Sequence, residues 1–355
     1  MSNAARRALV RMAIACIIPA VVGLAAARAG ACGGLVGENG TIKLTRTTTL
    51  AAYHDGVERY VTSFEFAGQG KDVGSIVPLP GVPSQVIRGG NWTLQRLERE
   101  VSPIAPAAAI RNDSAGSAAS AQVLLQTQVD ALDITILKGG GDVVGKWAVD
   151  HGFLLTPDAP AMLDFYAHRS PIFMAARFDA TRASQLGQNS GDGTPIMLTI
   201  PTRDPWVPLH ILSLGLDKHA SVDADVFLLT DAQPKLLAGG TGLQLARSEP
   251  ASDSLLSDLR ADKNMNWVPE SMWFTYLRLH VAAGALDYDL AAAVRPNELP
   301  SLTATGISLP AARAVGPASH WTFWPLVVGL AAGASMFLVA VVVSKKRRVR
   351  TGASS

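Results

Sequence analysis

Residues 47–66 read TTTLAAYHDGVERYVTSFEF. Apolar and polar residues alternate over Thr47–Tyr53 and again over Val57–Phe66, which is the period of a strand with one buried face. The two runs are joined by His54-Asp55-Gly56, and Asp-Gly readily adopts the positive φ angles of a tight hairpin turn. This stretch therefore predicts an antiparallel hairpin and a fold built on sheets.

Most patterned segments after the hairpin are also β-rich. They are Val73–Leu79, Val123–Leu137, Ile172–Phe178, Ile196–Ile200, Leu209–Leu216, Val222–Thr230 and Met272–Val281. Helices are predicted over Trp92–Val101, Val143–His151, Ala159–His168 and Ser252–Leu259, with Asn91 and Asp142 as caps of the first two and Asp158 preceding the third. We therefore predict an α+β fold with strand-rich mixed or antiparallel sheets, a few helices and one C-terminal transmembrane helix.

Three stretches of biased composition divide the chain. Ser102–Ala121 is rich in Ala, Ser and Pro, Arg182–Pro195 contains Gly-Gln-Asn-Ser-Gly-Asp-Gly, and residues 296–322 are rich in Pro, Ala and Ser. Such composition is typical of loops and spacers. We therefore predict one extracytoplasmic α+β domain over residues 32–295, with a subdomain break near 102–121, followed by a stalk over 296–322.

The N-terminus has the pattern of a secretory signal peptide. Three arginines within the first eleven residues precede the apolar stretch Met12–Ala27, and small residues follow. This order is that of a segment removed during export. Residues 1–31 are therefore predicted to be the signal peptide. Cleavage after Ala29 and after Ala31 fits the pattern equally well, and the second would leave Cys32 as the first residue.

A second membrane-related segment lies near the C-terminus. Residues 323–343 carry no charge and are long enough, at about 1.5 Å per residue, to cross the roughly 30 Å hydrocarbon core as a helix. Trp321 and Trp324 stand where an interfacial aromatic belt would lie, and five basic residues follow within 344–355. We therefore expect a single-pass anchor in the cell membrane, with the lipid bilayer as partner, the N-terminal domain outside and the basic tail in the cytoplasm.

Charge and cysteine content exclude several classes of protein. Of the 31 Lys and Arg, nine lie in the signal peptide and the tail, which leaves 22 against 29 Asp and Glu. An acidic surface does not suit nucleic acid, so no nucleic-acid partner is predicted. With 2 cysteines the chain cannot supply a four-cysteine zinc site or a cysteine-ligated iron–sulfur cluster.

Several Gly- and Pro-based motifs are those of a known family. They are ACGG at 31–34, YHDGVER at 53–59, GSIVPLPGVP at 74–83, GGG at 139–141, VDHGF at 149–153, TPIML at 194–198 and VDADVFLLT at 222–230. With these motifs the chain resembles a bacterial domain-of-unknown-function family, numbered twenty-three thirty, whose exported members begin Cys-Gly-Gly after a signal peptide. The resemblance implies an exported, membrane-tethered protein and carries no assigned activity. The family's second cysteine is absent here, so a short disulfide loop is not expected.

Histidines and neighbouring carboxylates are the first candidates for chemistry. None of the 7 histidines has the spacing that places two metal ligands on one face, so no metal site and no cofactor are predicted. His54 with Asp55, and Asp150 with His151, are pairs that folding could assemble into an acid–base site. Polar residues at turns explain the same pairs.

Cys32 has three interpretations. A cysteine after Gly30-Ala31 resembles a lipoprotein processing site, although Ala29 stands where leucine is preferred. An exported, unpaired thiol is also exposed to modification or intermolecular disulfide formation. The favoured interpretation is a small buried residue near the first strand, because free cysteine prefers burial.

The remaining candidates are weaker. Asp223 with Asp225 and Asp287 with Asp289 would share strand faces, but two carboxylates are too few for calcium. Gly139–Gly141 suits a strand-to-helix turn better than a phosphate loop, because the P-loop lysine is missing.

The loop 262–270 is the preferred candidate for ligand binding from sequence. It carries polar and aromatic side chains, namely Asn264, Asn266 and Trp267, and functional residues are often placed on loops. No serine nucleophile motif of the Gly-x-Ser-x-Gly type occurs. The sequence therefore favours a non-catalytic binding or envelope-structural domain that meets an unidentified extracytoplasmic ligand or protein. The alternative is an exported hydrolase-type enzyme whose site is built from distant His and Asp residues.

Overall fold

The hairpin predicted from residues 47–66 lies inside the largest sheet of the protein. The structure, a computed structural model, describes residues 34–37, 47–64, 72–101, 122–153, 155–188, 194–238, 240–295, 297–305 and 313–314, all within one compact unit that ends at Gly316. The signal peptide, Cys32, the whole spacer 102–121, and residues 323–355 lie outside the described residues. No helix in the described part is long and apolar enough to span a bilayer.

Sixteen strands and six α-helices are described. The strands are β1 Gly34–Gly37, β2 Thr47–His54, β3 Val57–Phe64, β4 Asp72–Pro78, β5 Gln85–Arg88, β6 Gln122–Val129, β7 Leu132–Lys138, β8 Ile172–Asp179, β9 Thr194–Pro201, β10 Trp206–Val207, β11 Ser221–Thr230, β12 Lys235–Ala238, β13 Leu243–Pro250, β14 Trp273–Ala282, β15 Leu290–Ala293 and β16 Arg313–Ala314. The helices are α1 Thr93–Val101, α2 Gly141–Asp150, α3 Ala159–Ala167, α4 Ala180–Gln185, α5 Asp253–Ala261 and α6 Leu302–Thr305, with 3₁₀ turns at His210–Ser213 and Ala283–Ala285.

These strands form three sheets. A seven-stranded sheet has the order β13-β14-β11-β2-β3-β9-β5, a five-stranded sheet β1-β4-β8-β7-β6, and a four-stranded sheet β10-β15-β12-β16. The pair β11–β2 is parallel, and the other described pairs are antiparallel. The mixed, strand-rich α+β class is therefore confirmed. The predicted hairpin is also confirmed, with φ of 51° at Asp55 and 78° at Gly56 in its turn.

Strand alternation places the sheets between layers of helix. Along β11, Val226 and Leu228 face the core shared with the two smaller sheets, whereas Phe227 and Leu229 face helices α1 and α5. Helices α2 and α3 cover the other face of the five-stranded sheet. Both faces of β11 are thus buried, which explains its nearly continuous apolar sequence.

Three local predictions need correction. Leu209–Leu216 contains a 3₁₀ turn instead of a strand, because its backbone N–H groups point to a buried carboxylate described below. The run Val123–Leu137 is split into β6 and β7 by a tight turn in which Asp130 has a φ of 53°. Asp142 lies within the first turn of α2, because that helix begins at Gly141 with Gly140 in the cap position, and the side chain of Asp158 makes no capping hydrogen bond to α3.

The start of α1 and the segment after residue 295 also differ from the predictions. The N–H groups of Asn91 and Trp92 donate to the carboxylate of Asp262, so a distant residue takes the capping role expected of Asn91. Part of the segment assigned to the stalk packs on the domain, since Ala304 and Thr305 are buried and β16 pairs with β12.

Candidate functional site

Three connections meet at the end of the seven-stranded sheet where the β2–β3 hairpin turns. Strands β2 and β11 are parallel, with Tyr53 opposite Thr230. The residues that follow them, His54 and Asp231, therefore lie at the same end of the sheet. The end of β15 brings Arg295 to the same place. Carboxyl ends of parallel neighbours are common positions for ligand sites.

An open recess lies between these connections. It is lined by Tyr53, Asp55, Gly56, Asp231, Ala232, Val294 and Arg295, and its empty volume is about 750 Å³, part of which is open to solvent. The part of this space that belongs to the recess itself is about 400 Å³, which is within the range of small-molecule sites, roughly 300–1,000 Å³. The side chains around it offer carboxylate, hydroxyl and guanidinium groups.

The imidazole of His54 stands between two carboxylates at the rim of the recess. Its Nδ1 is 2.5 Å from Oδ1 of Asp231 and its Nε2 is 3.3 Å from Oδ2 of Asp55. The backbone N–H of Asp55 donates to Oδ2 of Asp231 over 3.3 Å. The side chains are 29%, 84% and 42% exposed for His54, Asp55 and Asp231 respectively. One ligand atom from each lies within 4.8 Å of the other two.

The charges around this cluster are unevenly paired. Within the described residues, His54 is the one recorded ion-pair partner of both Asp55 and Asp231. Arg295 is bound to Glu298 at 3.2 Å, and this carboxylate also meets Arg203 at 3.4 Å. The charge of Asp55 acts on the guanidinium of Arg59 and raises its pKa, but burial lowers this pKa by more. The rim therefore has an excess of acidic groups.

Glu58 lies beneath the recess and was not singled out from the sequence. It pairs with Tyr53 across the hairpin and is fully buried, and neither carboxylate oxygen has a hydrogen-bond partner within the described part. Burial raises its pKa from 4.5 to about 8, and the nearby N–H of Trp206 lowers it only slightly. The carboxyl group is therefore mostly neutral at pH 7. The available signal was strand alternation, which places Glu58 on the same face as the buried Tyr60.

The cavity next to Glu58 is small and mostly apolar. Its volume is about 10 Å³, roughly the room that one water molecule needs, and it is lined by Ala51, Tyr53, Glu58, Pro205, Trp206, Val207, Leu228, Thr230, Leu290 and Ala292. The hydroxyl of Tyr53, which lines both this cavity and the recess, donates to the carbonyl of Thr202 over 3.0 Å. Tyr53 therefore forms the wall between the buried acid and the surface cluster.

The second predicted acid–base pair lies on another layer. Asp150 and His151 end α2, which packs on the five-stranded sheet. Asp150 accepts from Lys146 at 2.7 Å, and the His151 ring stacks on Trp147 with 3.9 Å between centroids. The structure records no contact between this pair and His54 or Asp55 among the described residues. It does not bring the two pairs together.

The loop 262–270 uses its polar groups for internal contacts. Nδ2 of Asn264 donates to the carbonyl of Arg88 over 2.8 Å, and Trp267 lies 4.4 Å beneath the guanidinium of Arg59. Asn266 is exposed. Asn264 and Trp267 therefore hold the loop against the sheet, and ligand binding by this loop stays a prediction.

The predicted aspartate pairs have structural partners. Asp225 accepts from the hydroxyl of Tyr276 at 2.6 Å. Asp223 contacts Nδ1 of His280 at 2.7 Å, and Ser221 approaches the same nitrogen at 3.5 Å. A catalytic triad needs serine and aspartate on opposite ring nitrogens, so this exposed group is not one.

Asp289 belongs to a buried network, whereas its predicted companion Asp287 is exposed. Asp289 accepts from the Tyr166 hydroxyl at 2.9 Å, from Arg169 at 2.8 Å, and from the N–H groups of Leu209 and His210 at 2.6 and 2.9 Å. This carboxylate therefore ties α3 to the segment after β10.

The glycines at 139–141 serve packing. A Cβ on Gly141 would lie 2.6 Å from the backbone nitrogen of Asp164, so the first turn of α2 touches α3 directly. This close approach confirms the interpretation as a strand-to-helix turn.

Comparison with known proteins identifies a family. The family described as "Uncharacterized protein conserved in bacteria (DUF2330)" matches residues 26–232. The curated proteins contain no match to the chain.

Solved structures add no usable likeness. A crystal structure of baculovirus P35 has a TM-score of 0.38 and 10% identity, covering 72% of this chain and 98% of that chain. A structure of the caspase-8/P35 complex has a TM-score of 0.32 and 9% identity, covering 70% and 92%. TM-scores below 0.5 do not establish a shared fold, so these similarities carry no argument about function.

Proposed function

The chain belongs to this family of uncharacterized proteins conserved in bacteria, and we propose that it is an extracytoplasmic, membrane-anchored domain that binds a small polar ligand in the recess at the hairpin end. The observation that carries the proposal is the recess itself, where three separate connections converge on polar side chains that include Asp55, Asp231 and Arg295.

Export and anchoring are supported by the two ends of the sequence. The basic, apolar and small residues of 1–31 follow the order of a signal peptide, and the uncharged run 323–343 is followed by a basic tail. The segment between them is acidic, which agrees with a domain that does not dock on anionic lipid. We propose the cell membrane as the location, with the N-terminal domain outside.

Binding is favoured over hydrolysis by the contacts of His54. Within the described part, its ring nitrogens contact Asp55 and Asp231 and no serine, cysteine or lysine. A nucleophilic hydrolase needs such a side chain within hydrogen-bond reach of its base. The rim therefore offers donors and acceptors for a ligand without an assembled nucleophile.

Topology is tested by protease treatment of intact cells that carry a C-terminal tag on the full chain. We expect the extracytoplasmic domain to be digested from outside while the tag stays protected. A domain that resists protease until the cells are opened would contradict the proposed location.

Ligand binding is tested by thermal melting of the detergent-solubilised full chain against amino acids, sugars, carboxylates and phosphates. A ligand of the recess should raise the melting temperature of the wild type and not that of Asp231→Asn. Asp223→Asn is the matched control, because Asp223 is 37% exposed against 42% for Asp231 and is also paired with a histidine. Equal shifts in both variants would place the ligand elsewhere.

A further inference from the structure

We infer that the ligand of the recess is, or includes, a divalent transition-metal ion held by His54, Asp55 and Asp231. This inference rests on the proposed function and names the ligand class of the same site. The three residues come from two connections, and one ligand atom from each lies within 4.8 Å of the other two. Within the described residues, no lysine or arginine is recorded as an ion-pair partner of either carboxylate.

The donor set determines the class of ion. One imidazole nitrogen with two carboxylate oxygens suits Zn²⁺ and its neighbours, whereas Ca²⁺ and Mg²⁺ prefer oxygen ligands alone. Three protein ligands leave at least one coordination position for water or for a ligand atom. Because Asp55 and Asp231 both line the recess, that open position would face it.

The cluster needs only small side-chain movements to close on an ion. Bonds of about 2.1 Å at tetrahedral angles separate neighbouring ligand atoms by roughly 3.4 Å, and one ligand atom from each of the three residues already lies within 4.8 Å of the other two. The backbone is already held, since β2 and β11 pair directly and the N–H of Asp55 donates to Asp231. Asp55 and Asp231 are exposed enough to rotate.

The neighbouring cations do not take the place of the metal. Arg295 is bound to Glu298, which also meets Arg203 at 3.4 Å. Arg59 stacks on Trp267, and in the described part of the chain it forms no ion pair with Asp55, although Asp55 acts on its charge from a longer distance. Two carboxylates therefore share one imidazole, and a divalent cation would supply the missing positive charge.

The chain contains a matched comparison for this site. His280 contacts Asp223 through Nδ1 at 2.7 Å, much as His54 contacts Asp231 at 2.5 Å. The third member of that group is Ser221, and no second carboxylate completes a three-ligand cluster there among the described residues. If a histidine–aspartate pair alone were enough for a metal, both places would bind it equally.

The test is calorimetric titration of the tag-free, detergent-solubilised full chain with Zn²⁺ alone. We expect one site that His54→Ala and Asp55→Asn each weaken at least tenfold and that His280→Ala leaves unchanged. Asp55 is 84% exposed, so its variant remains informative even if His54→Ala unfolds the protein. Nitrogen-15 signals of the His54 ring should move on addition of Zn²⁺. Absence of binding, or equal weakening by His280→Ala, would overturn the inference.

Failure of the metal and failure of the binding function give different results. If Zn²⁺ does not bind but a polar compound stabilises the wild type and not Asp231→Asn, the metal inference is wrong and the proposed function stands. If neither Zn²⁺ nor any compound responds to Asp231→Asn, both are wrong. Zn²⁺ binding that depends on His54 and Asp55 supports both.

Discussion

Two fully buried carboxyl groups in this protein have opposite surroundings. Asp289 receives four hydrogen bonds, one of them from Arg169. Glu58 has no hydrogen-bond partner for either oxygen in the described part and faces a mostly apolar cavity. The comparison shows that burial alone does not decide what an acidic residue does. The number of donors aimed at the group decides whether its charge is compensated or its proton is retained.

The same comparison separates architecture from function. The Asp289 network is closed, because the carboxylate is fully buried and four protein donors bind it. The rim of the recess is open, since Asp55 and Asp231 share His54 and remain accessible to solvent. Glu58 lies between these cases, buried beside the recess but not paired. At neutral to alkaline pH, Glu58→Gln should therefore raise the free energy of unfolding, whereas Asp289→Asn should lower it.

The largest effect is expected from Glu58→Gln, measured by urea unfolding at pH values spanning 4.5 to 8. Between these limits the folded wild type keeps a proton on Glu58 that the unfolded chain has lost, so wild-type stability falls as the pH rises. At about 1.36 kcal/mol per pKa unit, the loss over the window is about 5 kcal/mol. The glutamine variant cannot titrate and should lack this loss, so it becomes the more stable protein near pH 8.

The pH series has a built-in limit and a control. Below pH 4.5 both states of the wild type hold the proton, and above about pH 8 both have lost it, so the difference between wild type and variant should level off outside the window. Glu270→Gln, at an exposed position, should show no such difference. If the free energy of unfolding changed with pH in the same way for wild type and Glu58→Gln, Glu58 would not be a buried neutral acid.

Asp289→Asn should destabilise the protein by about 3–5 kcal/mol, because it leaves the charge of the buried Arg169 without its partner. Urea unfolding at pH 7 measures the change. Asp287→Asn, two positions earlier and exposed, should stay within about 0.5 kcal/mol of the wild type. Equal stability of the two variants would mean that the network contributes nothing to the fold.

Tyr166→Phe tests whether the number of donors is what matters at Asp289. It removes one of the four donors and also the acceptor for the N–H of Ile211, so a loss of about 1–3 kcal/mol is expected. In the Asp289→Asn background the same change should cost less, because both substitutions disturb one network. Strict additivity in the double variant would argue against a connected network.

The smallest effect on stability is expected at the rim. His54→Ala in the presence of a chelator should change the free energy of unfolding by less than about 1 kcal/mol, since the paired carboxylates are exposed and such pairs stabilise weakly. Thermal melting with and without Zn²⁺ makes the measurement. A large loss in metal-free buffer would show that the cluster is part of the architecture, like the Asp289 network.

Sequence patterns were reliable where the deciding interactions are local. The hairpin at residues 47–64 and the strand β11 follow from alternation and turn residues, and a helix was also predicted near its observed place at Asp253–Ala261. Leu209–Leu216 was assigned incorrectly because its apolar pattern is satisfied by burial in a 3₁₀ turn, and the turn is held by Asp289 from a distant part of the chain. The cap of α1 likewise comes from Asp262.

The candidate site divides in the same way. His54 and Asp55 were visible from the sequence because they are adjacent in a turn. Their partner Asp231 was not, because it is 177 residues from His54 and reaches it only through the parallel pairing of β2 with β11. Glu58 was detectable only as a member of a strand face. Alternation shows which residues share a face, but it does not reveal whether another layer covers that face, so the burial of Glu58 could not be predicted.

The strand-rich class and the hairpin turn follow from the amino-acid sequence, because periodicity and turn chemistry depend on residues that are close together in the chain. The acidic character of the segment between the two ends also follows from the sequence, because it is a sum over the composition. The different surroundings of the acidic residues follow only from the tertiary structure. It surrounds Asp289 with donors, buries Glu58 without a recorded hydrogen-bond partner in the described part, and brings Asp55 and Asp231 together at the rim. Those outcomes depend on strand order and layer packing, which join residues far apart in the chain.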